Sequence, residues 1–240
     1  MIHDTKNVGK PTVLTCRFPT FYGCLLHTSF KQVQKFLTGR PTSEIAQELL
    51  GKKLTFKSAD ELMSAYIVED EAYVGVKDQA AHAFQNRRTP KNEPLYHEAG
   101  TIYIYQMRTQ LLLNLITQGE NDPQGVLIRA VQPHDGLTDF RSNRPVQSIY
   151  ELTSGPGKLM QAFGIPKALK GTLLNQGPLC LDLENPLTPT KIRKSGRVGV
   201  PNKGIWTNEL LRYFVKGNPY VSKMRKRDAD FKQFGWENNK

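Results

Sequence analysis

A chain of 240 residues with 38% apolar and 23% charged residues can bury one sizeable core or two small ones, and its composition is that of a folded, soluble domain. Its 33 Lys and Arg against 22 Asp and Glu leave a net charge of +11, which predicts attraction to polyanions, meaning nucleic acid or, less often, an anionic membrane surface. Apolar runs such as Leu111–Leu113 and Val126–Ile128 fall far short of the roughly 20 residues a bilayer crossing needs, the N-terminus lacks an apolar signal segment, and three cysteines without a CxxC pair suit free thiols in a reducing compartment, so a cytoplasmic location is expected.

Residues 1–31 mix Gly, Pro, Thr and Phe without a clear period and are expected to form an N-terminal extension, poorly ordered or laid across the surface. The stretch PTSEIAQELLGKKL then predicts a short amphipathic helix: Pro41 with Thr42 or Ser43 starts it, Ile45, Ala46, Leu49 and Leu50 repeat at helical spacing, and Gly51 stops it. Four strands follow, over 65–71, 101–105, 111–117 and 126–131, separated by loops rich in Gly, Pro, Asn and charge. SGPGKLMQAFGI predicts a helix opened by Pro156 and closed by Gly164, and NELLRYFVKGNPYVS a late helix or strand ending at Gly217 and Pro219. Strands outnumber helices and show no βαβ alternation. The expected fold is therefore α+β, a single mixed domain over 32–222 with a curved antiparallel sheet flanked by short helices. The tail from 223 to 240, KMRKRDADFKQFGWENNK, is basic and polar, with Phe231, Phe234 and Trp236 available for docking.

Several polar residues interrupt this pattern. The first strand ends in three acids, and alternation places Glu69 and Glu71 on one face and Asp70 on the other. Taken alone, Glu71 reads as a solvated strand-end acid, since most acids are exposed. But Arg129 stands inside VLIRAV, and a buried arginine needs a carboxylate or a polar cavity; Glu69 and Glu71 are the nearest candidates by strand logic, as a structural ion pair or as part of a site. Asn114 interrupts LLLNLI in the same way. Tyr73, His82, Tyr103 and Tyr105 are flat side chains that pack a core or, if they converge, stack on an unpaired base. Arg87, Arg88 and Lys91 lie in a turn-rich loop, and GPGK sets Lys158 at a helix start; both are candidate phosphate contacts, against solvated basic loops as the bland alternative. His3, His27, His82, His97 and His134 have no metal-binding spacing, so neither metal nor cofactor is expected, although Glu69, Asp70, Glu71 and Asp78 leave a Mg²⁺ nuclease as a minor reading. A basic nucleic-acid-binding module without catalysis is the second.

With these residues in hand, the chain resembles the 3-methyladenine (alkyladenine) DNA glycosylases of the alkylpurine type, in a bacterial-like form. The resemblance rests on VEDEAYVGVKDQAAH, close to that family's VETEAYxGxxDxAxH, and on RRTPKN, AGTIYIY, VLIRAVQPHDG, GPGKLMQAFGI, GRVGV and YFVKGNPYVS, in the family's order from Phe36 to Ser222. It implies base-excision repair: a damaged purine such as 3-methyladenine or 7-methylguanine is flipped out of double-stranded DNA and its N-glycosidic bond hydrolysed. By motif position Glu71 would be the general base that activates water, with Arg129 and the Val198 carbonyl holding that water. Tyr73 would stack on one face of the base and His82 with Tyr105 on the other, the His82 N–H would reach the base edge, and Asn114 would discriminate against the amine of guanine. An alkylated purine already carries positive charge and leaves without a general acid, whereas hypoxanthine and ethenoadenine are neutral and would need protonation. The stretch QMRTQ is one residue shorter before Asn114 than in mammalian relatives and lacks their tyrosine wedge, which leaves Met107 or Arg108 to fill the gap in the duplex. No lysine sits in a nucleophile motif, so a monofunctional enzyme is expected, acting as a monomer in the bacterial nucleoid.

Overall fold

The computed structural model describes residues 28–58 and 61–238. Of the expected N-terminal extension only residues 28–31 fall among them, and these do not extend away from the domain. Helix α1 (Phe30–Phe36) already begins there, opened by a capping box in which the Ser29 hydroxyl accepts the Gln32 N–H and the Gln32 side chain accepts the Ser29 N–H. Helix α2 (Thr42–Leu49) follows as expected and buries Ile45, Ala46 and Leu49. It stops at Gly51, whose φ of +84° and whose distance to Leu187, with the carbonyl oxygen 1.8 Å from where a Cβ would lie, admit no side chain.

The strands are β1 (Lys53–Lys57), β2 (Leu62–Tyr73), β3 (Ile102–Met107), β4 (Gln110–Thr117) and β5 (Gln124–Pro133). After helices α3 (Leu137–Asn143) and α4 (Pro156–Phe163) come β6 (Leu179–Asp182), β7 (Ile192–Ser195) and β8 (Arg212–Val215). The late segment read as helix or strand is thus the strand β8. All pairings are antiparallel in one curled sheet, ordered β3-β4-β5-β2-β1-β6, with β8 beside β2 and β7 beside β8.

Strand β2 is the organising element because one of its edges serves two partners. Its first half pairs with β1 (Lys53↔Tyr66) and its second half with β8 (Glu69↔Phe214, Asp70↔Tyr213, Glu71↔Arg212), while the other edge carries β5 throughout. The register with β5 shifts on both sides of Glu69, from Ile67↔Val131 through Glu69↔Ala130 to Asp70↔Ile128. Such bulges bend a strand and increase its twist, and this one lies where the edge passes from β1 to β8. Helix α2 covers β2 on one side, and α4 packs on β4 and β5. The core between them includes Ile67, Leu113, Leu115, Ile128, Phe140 and Phe163.

The basic tail is docked against the domain. Trp236 is buried and its indole N–H donates to Gln132 Oε1 at 2.9 Å, Phe234 stacks on Tyr220, and Phe231, 46% exposed, lies against Tyr150.

Candidate active site

The three consecutive acids of β2 meet different surroundings. Glu69 and Glu71 share a face, as alternation requires, and both reach the one guanidinium that β5 supplies: Arg129 Nε lies 2.8 Å from Glu69 Oε1 and Nη1 lies 3.1 Å from Glu71 Oε1. Glu69 also accepts from Arg212 Nε (2.7 Å), the Ser222 N–H (2.6 Å) and the Ser222 hydroxyl (2.8 Å). Burial opposes its charge, but Arg129, Arg212 and the Ser222 N–H outweigh burial and hold Glu69 below the usual carboxylate range. Two arginines against two carboxylates leave this cluster electrically balanced.

Glu71 is held less tightly. Its Oε1 accepts the Val198 N–H at 2.7 Å, and its Oε2 accepts the Tyr73 hydroxyl at 3.0 Å. Burial is the largest influence and pushes the Glu71 pKa up; Arg129, the Val198 N–H and Tyr73 reverse this only in part. The result is a buried carboxylate with enough positive charge beside it to ionise and a raised affinity for a proton, the combination a general base needs. Asp70 points to the opposite face and is wholly buried, with neither carboxylate oxygen hydrogen-bonded among the described residues. Burial, then Glu69 and Glu71, push its pKa well above the ordinary value.

In front of Glu71 lies a cavity of about 280 Å³. Its lining brings together Tyr73, His82, Tyr105, Met107, Asn114, Arg129 and Val198, seven positions singled out from six separate stretches of sequence. Strand β2 ends at Tyr73, β3 contributes Tyr105 and Met107, and β4 contributes Asn114. His82 packs on Tyr105 with ring centroids 4.2 Å apart, and its Nδ1 lies 3.0 Å from the Tyr103 hydroxyl. Desolvation against these rings, with Arg87 nearby, lowers the His82 pKa, so the imidazole is neutral at pH 7. Asn114 donates its amide N–H groups to the carbonyls of Tyr103 (3.1 Å) and Leu112 (3.3 Å), which fixes the side chain in the wall. Met107 is 51% exposed at the end of β3, beside a two-residue turn whose Arg108 has φ +54°. Gly157 at the start of α4 lets that helix abut the hairpin: a Cβ there would lie 2.0 Å from Gln110 Oε1. The glycine of GPGK therefore has a packing reason, and Lys158 is half-buried with Nζ 3.4 Å from Ser154 Oγ.

Sequence reasoning overlooked the clamp behind the cavity. Asp78 and Arg197, 119 residues apart, form a fully buried pair; Arg197 Nη2 lies 2.8 Å from Asp78 Oδ1, and Nη1 also donates to the Ala72 carbonyl. Asp78 accepts the Val74 and Ala80 N–H groups, and the Arg197 guanidinium lies 4.7 Å from the centre of the Tyr73 ring. This pair joins the loop that carries His82 to the loop that carries Val198. The available signal was an aspartate and an arginine inside the two quoted motifs. Asp78 is thus committed to an arginine, Glu69 and Glu71 to two others, and Asp70 to the far face, so the four acids do not converge into a cation site. Of the loop cations, Arg88 is bound by Glu93 and Asn121 and lies over Tyr96, whereas Arg87 and Lys91 are exposed with Lys203 in a groove beside His82 and Tyr105.

A family model described as methylpurine-DNA glycosylase matches residues 36–219. A protein of Lactiplantibacillus plantarum named "Putative 3-methyladenine DNA glycosylase" is 48% identical over 204 residues, which is 85% of this chain and 97% of the relative. Proteins of the same name from Staphylococcus saprophyticus (48% identical; 82% of this chain, 97% of the relative) and Staphylococcus haemolyticus (51%; 79% and 94%) are similar over nearly the same extent. No helix among the described residues is long and apolar enough to cross a membrane. With its motifs folded into one aromatic cavity against a buried carboxylate, and with this degree of identity along most of its length, the chain belongs to the methylpurine-DNA glycosylase family and is a DNA glycosylase, a hydrolase of N-glycosyl bonds that acts on DNA.

Proposed function

We propose that the enzyme removes purines alkylated at N3 or N7, such as 3-methyladenine and 7-methylguanine, after flipping the nucleotide from the duplex into the aromatic cavity. The observation that carries this reading is the Glu71 carboxylate: buried, raised in pKa, balanced by Arg129, and bonded to two groups, Tyr73 and Val198, that line the cavity. Water positioned by Arg129 and the Val198 carbonyl gives its proton to Glu71 as its oxygen bonds to C1′. The C1′–N bond breaks, and its electron pair neutralises the positive charge of the alkylated purine, so no general acid is required.

Tyr73 on one side and His82 with Tyr105 on the other are the stacking faces. Their π-systems favour a cationic base over its neutral parent, and a neutral His82 adds no opposing charge. Asn114, held by two carbonyls, crowds the exocyclic amine of guanine; 7-methylguanine carries the same amine and is released in spite of that contact, because its positive charge favours the π-faced cavity and makes the purine a better leaving group. Met107 fills the gap in the base stack, as apolar wedges do in other proteins that bend DNA. Flipping costs a few kcal/mol of stacking and pairing, least for a damaged base, which adds to selection. Arg87, Lys91 and Lys158 contact phosphates. The chain acts as a monomer.

Base release from oligonucleotides that each carry one lesion, with EDTA present, tests the reading. Release of 3-methyladenine and 7-methylguanine is expected at rates EDTA does not change. Absence of release from both, or dependence on a divalent cation, would contradict it.

A further inference from the structure

Outside the cavity the tail forms a second feature, which begins at the catalytic cluster. Ser222 is fixed by both of its hydrogen bonds to Glu69 (2.6 and 2.8 Å), and Lys223 turns the chain outward with φ +58°. Residues Lys223, Arg225, Lys226 and Arg227 then form an exposed ridge. The ridge is pinned at its far end, where the Asp230 N–H donates to the Gly217 carbonyl (2.7 Å), the Thr190 N–H to the Gly235 carbonyl (2.9 Å), and Trp236 is buried.

Between the ridge and strands β7 and β8 lies a groove of about 710 Å³ lined by Arg193, Lys194, Lys216, Lys223, Arg225 and Arg227, with Asp228 its one acid. Asp228 is 2.6 Å from Arg225 and 3.9 Å from Arg227. Arg193, Lys194, Lys216 and Lys223 have no carboxylate within ion-pair distance among the described residues. So many uncompensated cations on one concave surface repel each other unless an anion lies between them. The groove is continuous with the site: Val198 lines both it and the catalytic cavity. On the other side of the ridge a second groove includes Lys158, Lys223 and Lys226 and reaches Arg129, which also lines the cavity.

We propose that the ridge Lys223–Arg227, with Arg193 and Lys194 facing it, is a second DNA-backbone contact that holds the phosphodiester chain as it leaves the nucleotide in the cavity. The inference rests on the reading that the cavity receives a flipped nucleotide of duplex DNA. The ridge lies beyond residues 36–219, so it extends the DNA footprint past the part of the chain shared with the family model. Phosphate contacts of this kind fix position and register without reading sequence, so the groove serves damaged and undamaged duplex alike.

The test replaces Arg193, Lys194, Lys223 and Arg227 together by glutamine in the full chain; all four are exposed, and thermal unfolding verifies that the variant folds. Affinity for undamaged and for 7-methylguanine duplex is measured across a salt series, with single-turnover base release alongside. The log–log salt slope is expected to flatten by roughly 0.9 for each phosphate that is no longer neutralised, for both duplexes. The DNA concentration for half-maximal release should rise about 10- to 100-fold, while release at saturating DNA stays within about twofold, because uniform binding energy is removed without change in the chemical step. Unchanged slope and affinity would overturn the proposal, as would a fall in rate at saturating DNA with the slope intact. Weakened binding to anionic vesicles or single-stranded RNA, with duplex binding unchanged, would also overturn it. If the parent protein releases no base at all, the proposed reaction fails, yet the salt slope still decides whether the ridge binds DNA.

Discussion

Asp70 and Glu71 are neighbours in one strand, both carboxylic acids and both fully buried, and they have opposite surroundings. Glu71 faces the side of the sheet where β5 presents Arg129 and the 196–200 loop presents the Val198 N–H; Asp70 faces the opposite side, where neither of its oxygens is hydrogen-bonded among the described residues. Burial alone therefore makes no base. It raises the proton affinity of both groups, and only the one with an arginine and two hydrogen-bond donors is also stabilised when charged. Glu69 marks the other extreme, with so many donors that its proton affinity is lowered, and it serves as an anchor for Arg129, Arg212 and Ser222.

Removing the arginine should erase the difference between the two faces, and it carries the largest expected stability effect. Arg129→Met leaves Glu71 buried without its cation, so unfolding free energy should fall by about 3–5 kcal/mol in urea titrations and base release at pH 7 should cease. Stability equal to the parent would mean that the pair is not a buried charge network.

Asp70→Val tests the silent face. An unfolded aspartate ionises above about pH 3.9, whereas burial holds the proton on folded Asp70 to higher pH, so the Asp70 contribution to stability falls as pH rises from there toward the raised folded value and then levels off. The variant lacks this decline. Removing an unsatisfied buried polar group should give it an advantage of roughly 1–3 kcal/mol that is present even below about pH 4, and the advantage should grow from there as pH rises. An advantage that shrinks as pH rises would refute a neutral Asp70.

The smallest effect belongs to Tyr73→Phe, which keeps the ring and removes one donor to Glu71 at a stability cost of roughly 0.5–1.5 kcal/mol. A base must be ionised, so release of 7-methylguanine should fall as pH drops through a Glu71 pKa that lies above the ordinary glutamate value. Removing the Tyr73 hydroxyl, which favours the charged form, should move that acidic limb to higher pH. Asp70→Val should leave the limb in place, because a neutral Asp70 exerts no charge on Glu71. A limb that Tyr73→Phe does not move would show that another group governs the profile.

How much of this was legible in the sequence depended on period and distance. The middle strands β2 to β5 and helices α2 and α4 carry apolar patterns long enough to show through their few polar interruptions, and each was expected within a few positions. The separation of Glu69 and Glu71 from Asp70 followed from alternation alone and survives the bulge at Glu69. Strands β6, β7 and β8 have four residues each, too short for a period to emerge, and β7 is mostly exposed and cationic. Helix α1 was hidden by the irregular stretch before it, although Ser29 and Gln32 have capping-box spacing. The Arg197–Asp78 clamp was illegible because partner choice across 119 residues is a property of the folded chain, and the same holds for Arg88, which lies in a loop of apparent phosphate ligands yet is occupied by Glu93. The aromatic residues of the basic tail marked it as able to dock, but nothing local shows that Trp236 finds Gln132 or that Ser222 finds Glu69.

Glu71→Gln is the most direct test, since it preserves shape and removes the charge. Binding to a 7-methylguanine duplex and single-turnover release are measured on the same preparation. The variant should bind the lesion duplex as the parent does and release no base above the uncatalysed rate; release at the parent rate would contradict the assignment of Glu71 as the base that activates water.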